Sequence, residues 1–180
     1  NRSFIMVQTT ENEQTNTNGE YSNICEIGKE RIRRIGKTFD NSRNDVGFRV
    51  YKLDSSNMID VFYNATSVEQ QSLKNYLDNV EPNRTDEDLL IQAMLDLGIK
   101  LSAKIEMKII DNVHIWIVDD GFLIACLSDG CSESIITTIA EDMKPVFAVI
   151  RNGSKMTDQM LSNIEQIFKT YNPRTEVRYI

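Results

Sequence analysis

Three apolar runs crowd the second half of the chain: KIEMKII (104–110), VHIWIV (113–118) and FLIACL (122–127). They are rich in β-branched and aromatic residues, and only Asp111-Asn112 and Asp119-Asp120-Gly121 separate them. Runs of this length and composition are strands, and separators this short leave no room for a crossover helix. The spacing therefore predicts an antiparallel meander, with Asp-Asp-Gly as its stronger turn signal. Such a sheet needs a covering layer, and helices can supply it.

The flanking segments supply them. Thr66 stands three residues before Glu69, and Leu73, Tyr76, Leu77 and Val80 follow at helical spacing. Thr85 and Asp88 repeat the capping arrangement ahead of Leu89, Leu90, Ala93, Met94 and Leu97, and Gly98 stops that helix. VEPNRTDEDLL is read as a Pro-containing connection between the two. Beyond the meander come a helix from about Ser132 to Met143, a buried strand PVFAVIR, a helix opened by Thr157, and a last strand EVRYI. The Met160, Leu161, Ile164, Ile167, Phe168 and Tyr171 stripe on the Thr157 helix reads as core.

The first part of the chain has a different character. Phe4 to Gln8 reads as a buried strand, and ENEQTNTNGEYSN after it is too polar to be anything but a loop. Asn23 and Glu26 have capping-box spacing, and Ile24, Ile27 and Ile35 mark a helix crowded with Lys29, Arg31, Arg33, Arg34 and Lys37. Glu26 and Glu30 can pair along it, so the cations read as a solvated, salt-bridged face. Phe48 to Asp54 alternates as a strand. Strand, helix, strand is a βαβ unit, whose natural home is a parallel sheet. The fold class expected is α/β (α+β overall), a partial Rossmann-like βαβ unit over residues 1–63 followed by a compact mixed α/β domain over 64–180.

Charge divides the chain in the same way. Residues 1–51 hold eight Lys/Arg against seven Asp/Glu, net +1; residues 52–180 hold twelve against twenty, net −8. The total of −7 argues against a whole-surface grip on nucleic acid. No run reaches the eighteen or so apolar residues of a membrane span, and nothing resembles a signal peptide, so a cytoplasmic location is expected. Cys25, Cys126 and Cys131 lack CxxC spacing, and the single His114 lies in an apolar run; they read as structural thiols and a strand histidine rather than metal ligands or nucleophiles.

Catalytic motifs are sparse. There is no GxGxxG, Walker loop, HExxH or GxSxG. Two acids follow the predicted strands of the first part, Glu11 and Asp54, and acids beyond the carboxyl ends of parallel strands can accept hydrogen bonds from ribose hydroxyls or an adenine amine. The same acids can equally be solvated loop residues. No catalytic constellation is visible.

Six stretches, NRSFIMVQTTE, ICEIGKERIRR, GFRVYKLDSSNM, NRTDEDLLIQAMLDLGIKLSAKIE, DGFLIACL and NIEQIFKTYNPRTEVRYI, together resemble, in this order, the modification (Mod) subunits of type III restriction-modification systems. These are adenine-specific DNA methyltransferases of the β class. The resemblance covers nearly the whole chain. It implies that Phe4 to Gln8 corresponds to the strand after the "FxGxG"-type loop that holds S-adenosylmethionine. The catalytic "DPPY" motif and the target-recognition domain would lie earlier still. The chain then corresponds to the C-terminal portion of such a subunit.

What the resemblance implies for residues is limited. Glu11 matches the acid that accepts the cofactor's ribose hydroxyls, although the family's "LPE" ending reads Thr9-Thr10-Glu11 here. Asp54 lies where the third strand's acid would meet the adenine. No catalytic residue and no metal ligand carries over, and transfer to a flipped adenine needs the "DPPY" side chains, so this portion alone is expected to be inactive and to bind S-adenosylmethionine weakly if at all. Partners implied are a second Mod subunit, the restriction (Res) subunit, and DNA through the complete protein, with no membrane. Two alternatives stay open: an independent acidic protein-binding module that retains a methyltransferase remnant, and a nucleotide-binding protein using Glu11 and Asp54.

Overall fold

A computed structural model of the chain describes residues 4–9, 24–39, 46–59, 79–153 and 155–180. The chain divides into two compact units, Asn1–Lys52 and Leu53–Ile180. The division falls beside the point where the charge balance changes sign.

In the first unit the helix forms and the strands do not. Helix α1 spans Ile24–Gly36, with ion pairs from Lys29 to Glu26 (2.6 Å) and from Arg34 to Glu30 (2.8 Å) along its surface. The Arg34 bond, with the neighbouring Lys37 and Arg33, holds the Glu30 carboxyl below its usual range. Residues 4–9 and 46–54 carry no strand. Ile5 and Val7 are 93% and 91% exposed, and Leu53 is 99% exposed. The expected strand–helix–strand unit is thus corrected to a helix flanked by irregular chain. A parallel strand is stable only when neighbours satisfy its backbone and both faces are covered. Among the described residues neither run has such a neighbour.

The second unit contains the sheet. Strands β1 (Ile105–Ile110), β2 (Val113–Val118), β3 (Leu123–Cys126), β4 (Phe147–Ile150) and β5 (Glu176–Tyr179) lie side by side in sequence order. β1, β2 and β3 are antiparallel, as the meander requires; β3, β4 and β5 are parallel. Asp111 and Asn112 take positive φ (50° and 63°), the handedness a two-residue hairpin needs to match strand twist. The second turn is a 3₁₀ turn over Asp119–Gly121, also with left-handed residues. The overall class is α/β, with a mixed sheet.

Helices close both faces. α2 (Asp86–Asp96) is capped by Thr85, whose hydroxyl accepts from the Asp88 N–H while the Asp88 carboxylate accepts from the Thr85 N–H (2.8 Å). Gly98 follows in the left-handed conformation (φ 67°) that ends it. Leu89, Leu90, Ala93 and Met94 of α2 pack with Val118, Leu123, Ala125 and Val149 on one face. α3 (Glu133–Thr138) starts at the N-cap Ser132 and runs on through a π turn (Ile139–Met143) to left-handed Lys144 and Pro145, which cannot extend it. α4 (Asp158–Tyr171) starts at N-cap Thr157. These two are the crossovers of the parallel strands, and two successive crossovers of one hand fall on one face. There Ile135, Ile136, Ile139, Ile164 and Phe168 meet Ile115, Ile124, Cys126 and Ile150. β3, at the centre, is buried along its whole length.

Residues 53–59 belong to this second unit, and 57–59 are partly buried in it. Met58 makes a bridge to Val80, and the Ile59 N–H donates to the Asn79 carbonyl (2.8 Å). The expected helix over residues 66–80 lies almost wholly outside the described residues. Among the described residues no helix is long and apolar enough to cross a membrane.

Candidate functional site

Parallel strands concentrate functional groups beyond their carboxyl ends, because each crossover loop leaves the sheet there. In this fold that place is where Leu127–Cys131 leaves β3 and Arg151–Gly153 leaves β4. Backbone bonds tie the two loops to the sheet: the Arg151 N–H donates to the Cys126 carbonyl (2.9 Å) and the Asn152 N–H to the Ile180 carbonyl (2.8 Å).

The side chains there form a small polar cluster. The Ser128 hydroxyl donates to the Asp86 carboxylate on the first turn of α2 (2.9 Å), joining the β3 loop to the helix on the other chain segment. The Arg151 Nε and Asp129 Oδ1 are 3.9 Å apart, a loose ion pair. Gly153 lies against it, and a Cβ there would press the tip of the Asp129 side chain aside. Asp129, Arg151 and Lys155 border a cavity of about 20 Å³, room for one water-sized molecule. A carboxylate, a guanidinium and a lysine around so small a space can hold a water or one oxyanion atom. They offer no room for an organic cofactor.

Cys126, the last residue of β3, and Cys131 bring their sulfurs together as a disulfide, with Cα atoms 6.3 Å apart. As a thiol Cys126 is pushed far up, first by its hydrogen bond with Cys131, then by burial, and by the charge of Asp86. Paired as a disulfide, neither sulfur presents a thiolate, the reactive form. The expectation of separate thiols missed the pair, and its spacing belongs to no recurrent motif. Cys25 is free. His114 is exposed on β2 opposite Ile109. Among the described residues no group of three His, Cys, Asp or Glu side chains is placed to share a metal ion.

Of the two residues singled out from the sequence, only Asp54 is described. Glu11 lies outside the described residues. Asp54 is in an irregular segment: its carboxylate accepts from the Ser55 N–H (2.8 Å) and pairs with Arg84 (3.6 Å). Arg84 also donates to the Ser55 hydroxyl (2.7 Å) and carbonyl (3.1 Å). Asn57 donates to the Asp88 carbonyl (3.1 Å) and to Gln92 (2.9 Å). The Asp54–Asn57 stretch is thereby laid across the N-terminal half of α2.

No family model, curated protein or solved structure matches the chain.

Proposed function

We propose that this chain is the C-terminal portion of a type III Mod subunit, an S-adenosylmethionine-dependent adenine-specific DNA methyltransferase, and that its Leu53–Ile180 unit serves assembly, with a second Mod or with Res, rather than chemistry. The observation that carries the reading is the order of the six sequence blocks, two of which pack on each other. Ser55 and Asn57, from GFRVYKLDSSNM, bond to Arg84, Asp88 and Gln92, from NRTDEDLLIQAMLDLGIKLSAKIE.

Two further features favour a docking role. The unit's net charge is strongly acidic, which disfavours groove reading and suits protein contact. The polar cluster beyond β3 and β4 encloses a space no larger than a water. S-adenosylmethionine and the flipped adenine would be held in the parent by residues upstream, with Glu11 and Asp54 in supporting roles at most.

The test is calorimetric titration of S-adenosylmethionine into this chain and into a longer protein that carries the "DPPY" motif. Binding by the longer protein alone is the expected result. Micromolar binding by this chain overturns the reading and makes Glu11 and Asp54 the first residues to substitute. Co-expression with Res tests the assembly role: co-purification of the two is expected, and Res that purifies without the chain, while binding the longer protein, removes it.

A further inference from the structure

Among the described residues strand β1 is one edge of the sheet, and its sequence is self-complementary in one register. Its four central residues are exposed, Met107 at 46% and Ile109 at 61%. Exposed apolar side chains on an open edge are a template for another strand. From Glu106-Met107-Lys108 we infer that β1 pairs antiparallel with β1 of a second copy of this chain, about a two-fold axis through Met107.

The backbone alternation permits it. The Asp119 N–H donates to the Lys104 carbonyl (2.9 Å), and the two-residue turn closes on Ile110 and Val113. Lys104, Glu106, Lys108 and Ile110 therefore turn their backbone groups toward β2. Ile105, Met107 and Ile109 turn theirs outward. About an axis at Met107, Met107 meets the partner's Met107 and Ile105 meets the partner's Ile109, each with both backbone groups facing the neighbour. Any pairing shifted by one residue loses this match.

The side chains agree with the backbone. In the same register Glu106 stands opposite the partner's Lys108, and Lys108 opposite the partner's Glu106, at the closer, non-hydrogen-bonded positions. Single charges on an edge strand normally repel a second copy. Here opposite signs one residue either side of the axis turn that guard into a match. Lys108 makes no ion pair among the described residues, and Glu106 pairs only with Lys104, which it shares with Asp120. Met107 and Ile109 lie on the α2 side of the sheet with Ile105 and Trp116, so the pairing covers the apolar surface that β1 exposes.

The opposite edge is the rival. β5 carries Glu176-Val177-Arg178, but there the two charges bond to each other (2.7 Å) and Arg178 lies over the Phe147 ring. Its charges are already engaged within one copy, and it presents no apolar pair like Met107 and Ile109.

The case for β1 pairing rests on that strand alone; under the Mod reading the second copy is a second Mod, and its test does not depend on S-adenosylmethionine or Res. Sedimentation equilibrium of the whole chain should show a reversible dimer. Glu106→Lys should weaken it by about tenfold or more, since like charges then face each other twice, even though it reduces the net negative charge. The double variant Glu106→Lys, Lys108→Glu keeps the net charge and should restore the dimer, which also shows that the single variant had folded. In a Cys25→Ser background, Met107→Cys should cross-link copies on oxidation more readily than Ile109→Cys, because only residue 107 meets its own counterpart across the axis, whereas residue 109 faces the partner's Ile105. A chain that stays monomeric at a concentration on the order of 100 µM overturns the inference. So does a dimer indifferent to Glu106→Lys, or one broken instead by Glu176→Arg.

Discussion

Thr85 and Asp88 show how much one pair of residues can decide. The Asp88 carboxylate satisfies the Thr85 backbone N–H and hydroxyl, and those two bonds, with Arg84 nearby, hold its pKa below the usual 3.8. A depressed carboxylate pKa contributes stability that is present above the unfolded value and lost as pH falls through the folded one. The cap should therefore act fully above about pH 5 and fade below about pH 4. Thr85→Ala is expected to cost about 1 kcal/mol in urea unfolding at pH 7, and the difference from the parent should shrink at pH 3. Gly153→Ala makes the other residue-scale prediction. The new Cβ meets only the tip of the Asp129 side chain, which must swing aside from its loose pair with Arg151, so a loss of no more than about 1 kcal/mol is expected in the same assay. The capping box was legible because its partners are three residues apart. Asp129 and Arg151 were not, since only the parallel register of β3 and β4 brings them together. Asp54 was visible as an acid after an alternating run, but its partner Arg84 is thirty residues away along the chain.

At the scale of elements, the meander, the Thr85 and Thr157 helices and the last two strands follow from periodicity and caps. Helix α2 buries Leu90 and Met94 completely against the sheet. Leu90→Ala or Met94→Ala should each cost about 2–5 kcal/mol by chemical denaturation; a change near zero would mean that α2 does not cover this face. The failures are equally local in origin. Phe4 to Gln8 and Phe48 to Asp54 have strand composition, yet a strand is a relation between neighbours, and composition reports only one partner. The mixed pairing was half visible: short turns imposed the antiparallel half, whereas the order of β4 and β5 depended on which face received α3 and α4.

For the whole molecule, the two units differ in how their apolar side chains are covered. Helix α1 has no buried residue, whereas the Leu53–Ile180 unit closes a core on both faces of its sheet. Hydrogen exchange should follow. Amides of β2, β3 and β4 are expected to exchange only through global unfolding, and those of α1 and residues 46–52 by local opening, orders of magnitude faster. Uniform protection across both units would contradict this division. The proposed assembly role belongs at this scale too, because docking uses surfaces that folding leaves uncovered.

What the chain's sequence determined by itself is the set of local decisions: where helices start and stop, which runs alternate, which turns are tight, and the acidity of the second part. Each depends on residues within about four positions of one another, where propensity and capping act directly. Which strands find partners, that Cys126 meets Cys131, that Asp129 lies beside Arg151, and that β1 is left as an open edge were decided only in the tertiary structure. Those outcomes depend on contacts distant in sequence, whose free energy appears only when the sheet and its two helical layers form together.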